Sequence, residues 1–198
     1  MNPLKKVAIF VDWENIRIGV FGEAAKTHQK KVGYNQVDNI TKFINAFIDQ
    51  QSEEIYRIFF YLADPYGGII NEIDYSKTPT YSLSTSLMEK LAVTEYVALR
   101  KGSLVVRGLD KNNKPIFIQK KVDMLIGLDI AHVSYNRLVD RVLILSTDTD
   151  IVPAMKTARI NGLQVIFGYC PDIQCDTHRE LKEHSDIIRA IPFKSIFP

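Results

Sequence analysis

Cysteine is nearly absent: the 198-residue chain has two, Cys170 and Cys175. They can pair only with each other, so no disulfide framework carries the fold, and a reducing cytoplasmic setting is expected. Long hydrophobic runs are missing too. No stretch approaches the ~18 apolar residues of a membrane helix, and the opening MNPLKKVAIF enters a strand pattern without a signal-peptide profile. Membrane insertion and secretion are therefore not expected. The chain has no repeat, low-complexity tract or linker-like segment, which makes one domain over residues 1–198 the expected organisation. Neither a G-x-x-x-x-G-K-[ST] loop nor a G-x-G-x-x-G turn occurs, so nucleotide-driven and dinucleotide chemistry lack support. The net charge of +2 is too small to say anything about partners.

What is present is an alternation of apolar, β-branched runs with amphipathic stretches. That is the pattern of an α/β fold with a mainly parallel sheet, expected as three α/β/α layers. Strands are predicted over Val7–Val11, Ile55–Leu62, Ser103–Gly108, Arg141–Leu145, Leu163–Phe167 and Ile187–Ala190. Lys114–Lys120, opened by KNNKP, reads as the second arm of a hairpin with Ser103–Gly108. Helices are predicted over Glu14–Gly22, Gln36–Gln51, Tyr81–Val93, Val122–Asn136, Ile151–Asn161 and Thr177–Ser185. Ala63–Thr80, rich in glycine, proline and acid after a buried strand, is expected at the carboxyl edge of the sheet, as a flap or a passive loop.

Four acids stand beside these apolar runs: Asp12 in VAIFVDWEN, Asp123 in QKKVDMLIGLD, and Asp148 and Asp150 in VLILSTDTDIVP. A carboxylate at the end of a buried strand is costly to desolvate, and several converging on one point repel each other. A divalent cation relieves both costs, since hard oxygen ligands suit Mg²⁺ or Mn²⁺. Asp12 and Asp148 follow their strands by short steps and should reach the crevice where open α/β sheets place their sites. Asp123 and Asp150 open helices, where Asp is also a routine cap. Asp129 falls on the apolar face of its helix with Val122, Leu125, Ile126 and Val133, so it must be hydrogen-bonded or near a cation. A supporting role behind the metal ligands fits it better than ligation.

Between Arg100 and Lys121 stand Arg100, Lys101, Arg107, Lys111, Lys114, Lys120 and Lys121 against one acid, Asp110. Such clustering suits a polyanion, nucleic acid above all, although lysines also guard exposed sheet edges. Lys120 and Lys121 run straight into Asp123, which favours phosphate binding. Trp13 could stack on a base, as aromatic platforms do for single strands, or pack against the sheet. Cys170, Cys175, His178 and His184 stand within loose zinc-ligand range, but the two histidines are six apart on a predicted helix and diverge, which disfavours zinc.

The blocks VAIFVDWEN, KKVDMLIGLDI and LILSTDTDIVPAMKTARINGLQVIFGY resemble those of NYN domains, the LabA-like branch of the PIN-like nucleases. The order and spacing match from about Lys6 to Ile191, and HRELKEHSDIIRAI is similar to the family's last helix and edge strand. The resemblance implies a Rossmann-like, PIN-like domain whose carboxylates bind Mg²⁺ or Mn²⁺ for RNA cleavage. By position it implies Asp12, Asp123, Asp148 and Asp150 as metal-site acids, with Asn15 and Lys120 as further active-site residues. Lys121 could add a phosphate contact or crowd the site, and Arg107, from the basic run, is a further candidate phosphate contact. The resemblance also implies RNA rather than DNA as the substrate. The family often carries glycine where Lys121 and Thr147 stand, and an aromatic where Ile151 stands. A non-catalytic RNA-binding or regulatory module of the same fold stays open, as does a small-molecule phosphatase, although VDWEN lacks a D-x-D nucleophile pattern.

Overall fold

The fold is taken from a computed structural model describing residues 3–27, 31–174 and 178–198. Its main strands are β1 (Lys5–Asp12), β2 (Glu53–Asp64), β5 (Val97–Leu109), β6 (Pro115–Lys120), β7 (Arg141–Leu145), β8 (Gln164–Tyr169) and β9 (Ile187–Ala190). They form a seven-stranded sheet in the order β6-β5-β2-β1-β7-β8-β9. Every pairing is parallel except β5 with β6, the expected hairpin. From β1 the chain steps outward through β2 to β5 and β6, then returns to lay β7 on the other side of β1. The direction of winding thus reverses between β1 and β7, and the crevice at such a reversal is where open α/β sheets bind ligands.

The alternation along β1 sorts its side chains onto two faces. Val7, Ile9 and Val11 join one buried cluster with Trp13, with Phe43 of α3 (Val37–Asn45) and with Leu91 of α4 (Pro79–Ala92). Ala8 and Phe10 join the other, with Ile126 and Ile130 of α5 (Val122–Tyr135) and Met155 of α6 (Val152–Ile160). The molecule is therefore a three-layer α/β/α fold. Asp12 continues the Ala8–Phe10 parity and belongs to the α5–α6 face. Both of those helices begin at the carboxyl edge of the sheet.

Several boundaries differ from the sequence reading. The predicted helix Glu14–Gly22 is a short α1 (Trp13–Ile16), then a wider π-helical stretch Arg17–Gly22, then α2 (Glu23–Thr27). The helix expected to reach Gln51 stops at Asn45. Beyond it the Phe47 carbonyl accepts from Arg189 and the Asp49 N–H donates to Glu53, so the backbone is committed elsewhere. Strand β5 begins six residues before the predicted Ser103, because Arg100, Lys101 and Gly102 break the apolar run without breaking the strand. Thr78 caps α4, whose first residue is Pro79, two positions earlier than expected. The Thr177 start of the predicted helix lies outside the described residues, which show α7 as His178–Glu183.

Ala63–Thr80 has more structure than a bare loop. It holds a small hairpin of β3 (Ile69–Ile70) and β4 (Ile73–Asp74). Tyr66 and Tyr75 both pack on Phe117 of β6, and the Asn71 amide donates to the Asn113 carbonyl at 3.1 Å. The segment is thereby pinned to the β5–β6 hairpin beyond the carboxyl edge.

Candidate metal centre

Asp12, Asp123 and Asp148 each offer a carboxylate oxygen, and the three atoms lie within 4.8 Å of one another. Each arrives by a different route. Asp12 ends β1 and is 2% exposed. Asp123 stands in the first turn of α5. Asp148 follows β7 and caps the 3₁₀ turn Thr149–Ile151 that leads into α6, its side chain accepting from the Asp150 N–H at 2.9 Å. Ser146, buried one step beyond β7, fixes this turn by accepting from the Asp148 N–H at 3.1 Å. Asp150 is exposed and is not among the three converging acids, but its charge acts on Asp123.

The electrostatics are those of acids that raise one another's pKa. Burial raises the Asp12 pKa from 3.8 to about 6, against the lowering effect of Asn15 and with further upward pushes from Asp123 and Asp148. Asp123 is raised by partial burial, then by Asp148 and Asp150. Among the described residues, no lysine, arginine or histidine forms an ion pair with any of the three acids. Among the described residues, the only polar partner of the Asp12 side chain is Asn15. Its amide donates to Oδ2 at 2.6 Å and its backbone N–H approaches Oδ1 at 3.4 Å. The Thr147 hydroxyl in turn donates to Asn15 Oδ1 at 3.2 Å, so the Asn15 side chain ties the end of β1 to the turn after β7. An all-oxygen, mutually repelling donor set, buried at Asp12, half-buried at Asp148 and open to solvent at Asp123, fits a hard divalent cation.

Asp129 has the partners its position demands. Tyr61 donates to its Oδ2 at 2.8 Å, and Arg100 donates through Nε to the same oxygen at 2.8 Å and through Nη2 to Oδ1 at 3.4 Å. Asp12, Tyr61 and Arg100 are successive neighbours across β1, β2 and β5. Asp129 therefore fastens α5, which carries Asp123, to the row of the sheet that presents Asp12.

The basic segment is only partly free. Arg100 is engaged by Asp129, and Lys101 pairs with Asp64 at 3.2 Å. Arg107 is exposed at a bulge in β5, four residues beyond the Ser103 position opposite Lys120, or ~13 Å along the strand. Lys120 and Lys121 are exposed at the β6–α5 junction, and among the described residues neither has an ion-pair partner. Lys121 has φ 77°, the left-handed region that glycine adopts freely. Trp13 must be reassigned: it is 3% exposed and packs on Phe21 and Phe60, which leaves no face for a base. Of the residues weighed for zinc, Cys170 is buried, whereas Cys175 and the His178 side chain lie outside the described residues.

Gly102 is a contact the sequence reading missed. A Cβ there would stand 2.6 Å from the Lys120 carbonyl oxygen and 2.7 Å from Val122 Cγ2. Gly102→Ala is therefore expected to cost about 1–3 kcal/mol and to displace the junction that presents Asp123. Thermal melts and a Mn²⁺ titration of the variant check both effects. Also missed was Glu53, a buried carboxylate at the start of β2 held by Arg141 and Arg189. Its partners lie 88 and 136 residues away, with no local pattern to betray them.

The NYN domain family profile matches residues 6–190, so the chain belongs to the NYN domain family, part of the PIN-like nuclease class. No curated protein matches the chain significantly. Among solved structures, the chain is similar to the nicotinamidase SaPncA from Staphylococcus aureus, at 15% sequence identity and a TM-score of 0.38 over 91% of this chain and 89% of that one. So slight a likeness carries no argument about function. No described helix is long and apolar enough to cross a membrane.

Proposed function

We propose that this chain is a single-domain, cytoplasmic, divalent-metal-dependent nuclease that hydrolyses phosphodiester bonds, with single-stranded RNA as its favoured substrate. The observation that carries the reading is the convergence of Asp12, Asp123 and Asp148 at the β1–β7 crevice, with no cation paired to them among the described residues. Family membership supports the nuclease class.

In this reading Asp12, Asp123 and Asp148 hold Mg²⁺ or Mn²⁺, and Asp150 borders them at the solvent side. A bound ion would supply Lewis acidity at the phosphate and a water of lowered pKa. Asn15 holds the Asp12 carboxylate in orientation through its two hydrogen bonds. Lys120 and Lys121, immediately before α5, bring positive charge to the phosphate backbone, and Arg107 extends that charge along the hairpin. Asp129 positions α5 through Tyr61 and Arg100. RNA is preferred to DNA on family grounds, because charge attracts both alike.

The direct test incubates the protein with single-stranded RNA and DNA, with Mn²⁺ or EDTA, beside an Asp12→Asn variant. Cleavage of RNA that EDTA and Asp12→Asn both remove supports the reading, and cleavage indifferent to both refutes it. Binding should weaken with salt, and each lysine lost should shallow the slope of log K against log salt by ~0.7. Reversing Lys120 and Lys121 to glutamate should weaken binding and cleavage together. A double variant that binds RNA normally at physiological salt would remove these two residues from the interface.

A further inference from the structure

Helix α5 is apolar on nearly all sides: VDMLIGLDIAHVSY holds only two charged residues, Asp123 and Asp129. One belongs to the acidic cluster and the other is turned inward onto Arg100 and Tyr61. Its inner face is buried through Val122, Ile126, Ile130 and Val133. Its outer face is apolar as well, with Met124 62%, Leu128 60% and Tyr135 69% exposed. These recur at the i, i+4, i+11 positions of one stripe, with the small Ala131 filling the i+7 step. Gly127 lies beside this stripe, and a Cβ there would meet nothing within 4 Å. A mid-helix glycine costs about 1 kcal/mol against alanine, and no contact with the described residues calls for it. A helix that is apolar all round is usually buried all round.

We infer that the outer face of α5 is an interface with a second copy of this chain, formed by antiparallel α5–α5 packing about a two-fold axis. The stripe is self-complementary in size. An axis between positions 129 and 130 sets Met124 of one copy opposite Tyr135 of the other, Leu128 opposite Ala131, and Gly127 opposite His132. Large groups thus meet small ones, and the thioether meets an aromatic ring, a favourable contact. The stripe is also uncharged, so two copies bring no like charges together. The same lack of cations makes it a poor surface for nucleic acid or an anionic membrane. A stable interface buries about 800 Å² per partner. Met124, Leu128 and Tyr135 supply several hundred Å² of this, and Ile160, 85% exposed, ends α6, the helix packed beside α5. The inference does not depend on the nuclease reading. With α5 paired antiparallel, the two acidic crevices would open at opposite ends of the dimer.

The test is the mass of the full chain in solution, by light scattering on a sizing column and by sedimentation across micromolar concentrations. The wild type should run at twice the 22.6 kDa chain mass. Leu128→Glu and Tyr135→Lys should each return it to one chain mass, with an unchanged circular dichroism spectrum. Val93→Glu, at a residue 84% exposed after α4, should leave the dimer intact. A monomeric wild type would overturn the inference, including one that instead captures vesicles or a foreign protein through α5. So would a dimer that survives both α5 variants. If one variant misfolds, the other and the wild-type mass still decide.

Discussion

Asp12→Asn is expected to lower metal-dependent cleavage at least ~10³-fold, a loss of about 4 kcal/mol of transition-state stabilisation, while the metal-free protein becomes more stable at neutral pH. Both effects come from one environment. Asp12 is buried at the end of β1, and its pKa rises to about 6 in the fold from an ordinary 3.8. A carboxyl with a raised folded pKa holds its proton more tightly in the native state than in the unfolded one. Ionising it therefore costs stability, beginning near pH 4 and complete a little above pH 6. The full cost is ~3 kcal/mol. Asparagine never ionises and escapes it, less about 1 kcal/mol if the short hydrogen bond with Asn15 is compromised. Thermal melts without metal should place the variant above the wild type at pH 7 and no higher at pH 4. Saturating Mn²⁺ should raise the wild-type melting temperature and leave the variant nearly unmoved.

Glu53→Ala should be the most damaging change to the fold. The Glu53 side chain is fully buried and accepts from Arg189 at 2.7 and 2.8 Å, from Arg141 at 2.9 Å and from the Asp49 N–H at 3.0 Å. Its removal leaves two largely buried guanidinium groups without compensation, a loss typically of about 3–5 kcal/mol. In a chain of this length that is a drop of roughly 10 °C in melting temperature. Burial alone would push the Glu53 pKa up, but Arg189, the Asp49 N–H and Arg141 outweigh it and hold the group below its ordinary range. Stability from a depressed carboxyl is present at neutral pH and lost as pH falls through its folded pKa. The gap between wild type and variant should accordingly narrow in acid, as melts across pH would record. Glu53 begins β2, at the end of the strand opposite the acidic cluster, so variant that remains folded should still bind Mn²⁺.

The acidic site was legible because strand parity and helix starts are local properties. In VAIFVD the even positions Ala8 and Phe10 mark one face, and Asp12 inherits it. Asp123 and Asp148 open the two elements that cover that face, so the convergence follows once the sheet is parallel. Asp129 announced itself as a charge on an apolar stripe, and only its partners were hidden. The basic run was harder to read. Charge counting cannot tell Lys120, which faces solvent, from Arg100, which is committed to Asp129. The same Arg-Lys-Gly interruption concealed the first half of β5. Trp13 offered no period to decide between core and surface, and the packing of Phe21 and Phe60 decided it. The Glu53 network and the early end of α3 are one long-range event, in which Arg189 claims the Phe47 carbonyl.

The central claim is that Asp12, Asp123 and Asp148 together hold a divalent cation. Calorimetric titration of Mn²⁺ into the wild type and into Asp148→Asn at pH 7 tests it most directly. The account predicts saturable binding by the wild type, weakened at pH 5 as Asp12 takes up its proton, and loss of that binding in Asp148→Asn. A wild type that binds no Mn²⁺, or an Asp148→Asn variant that binds it equally well, would contradict the account.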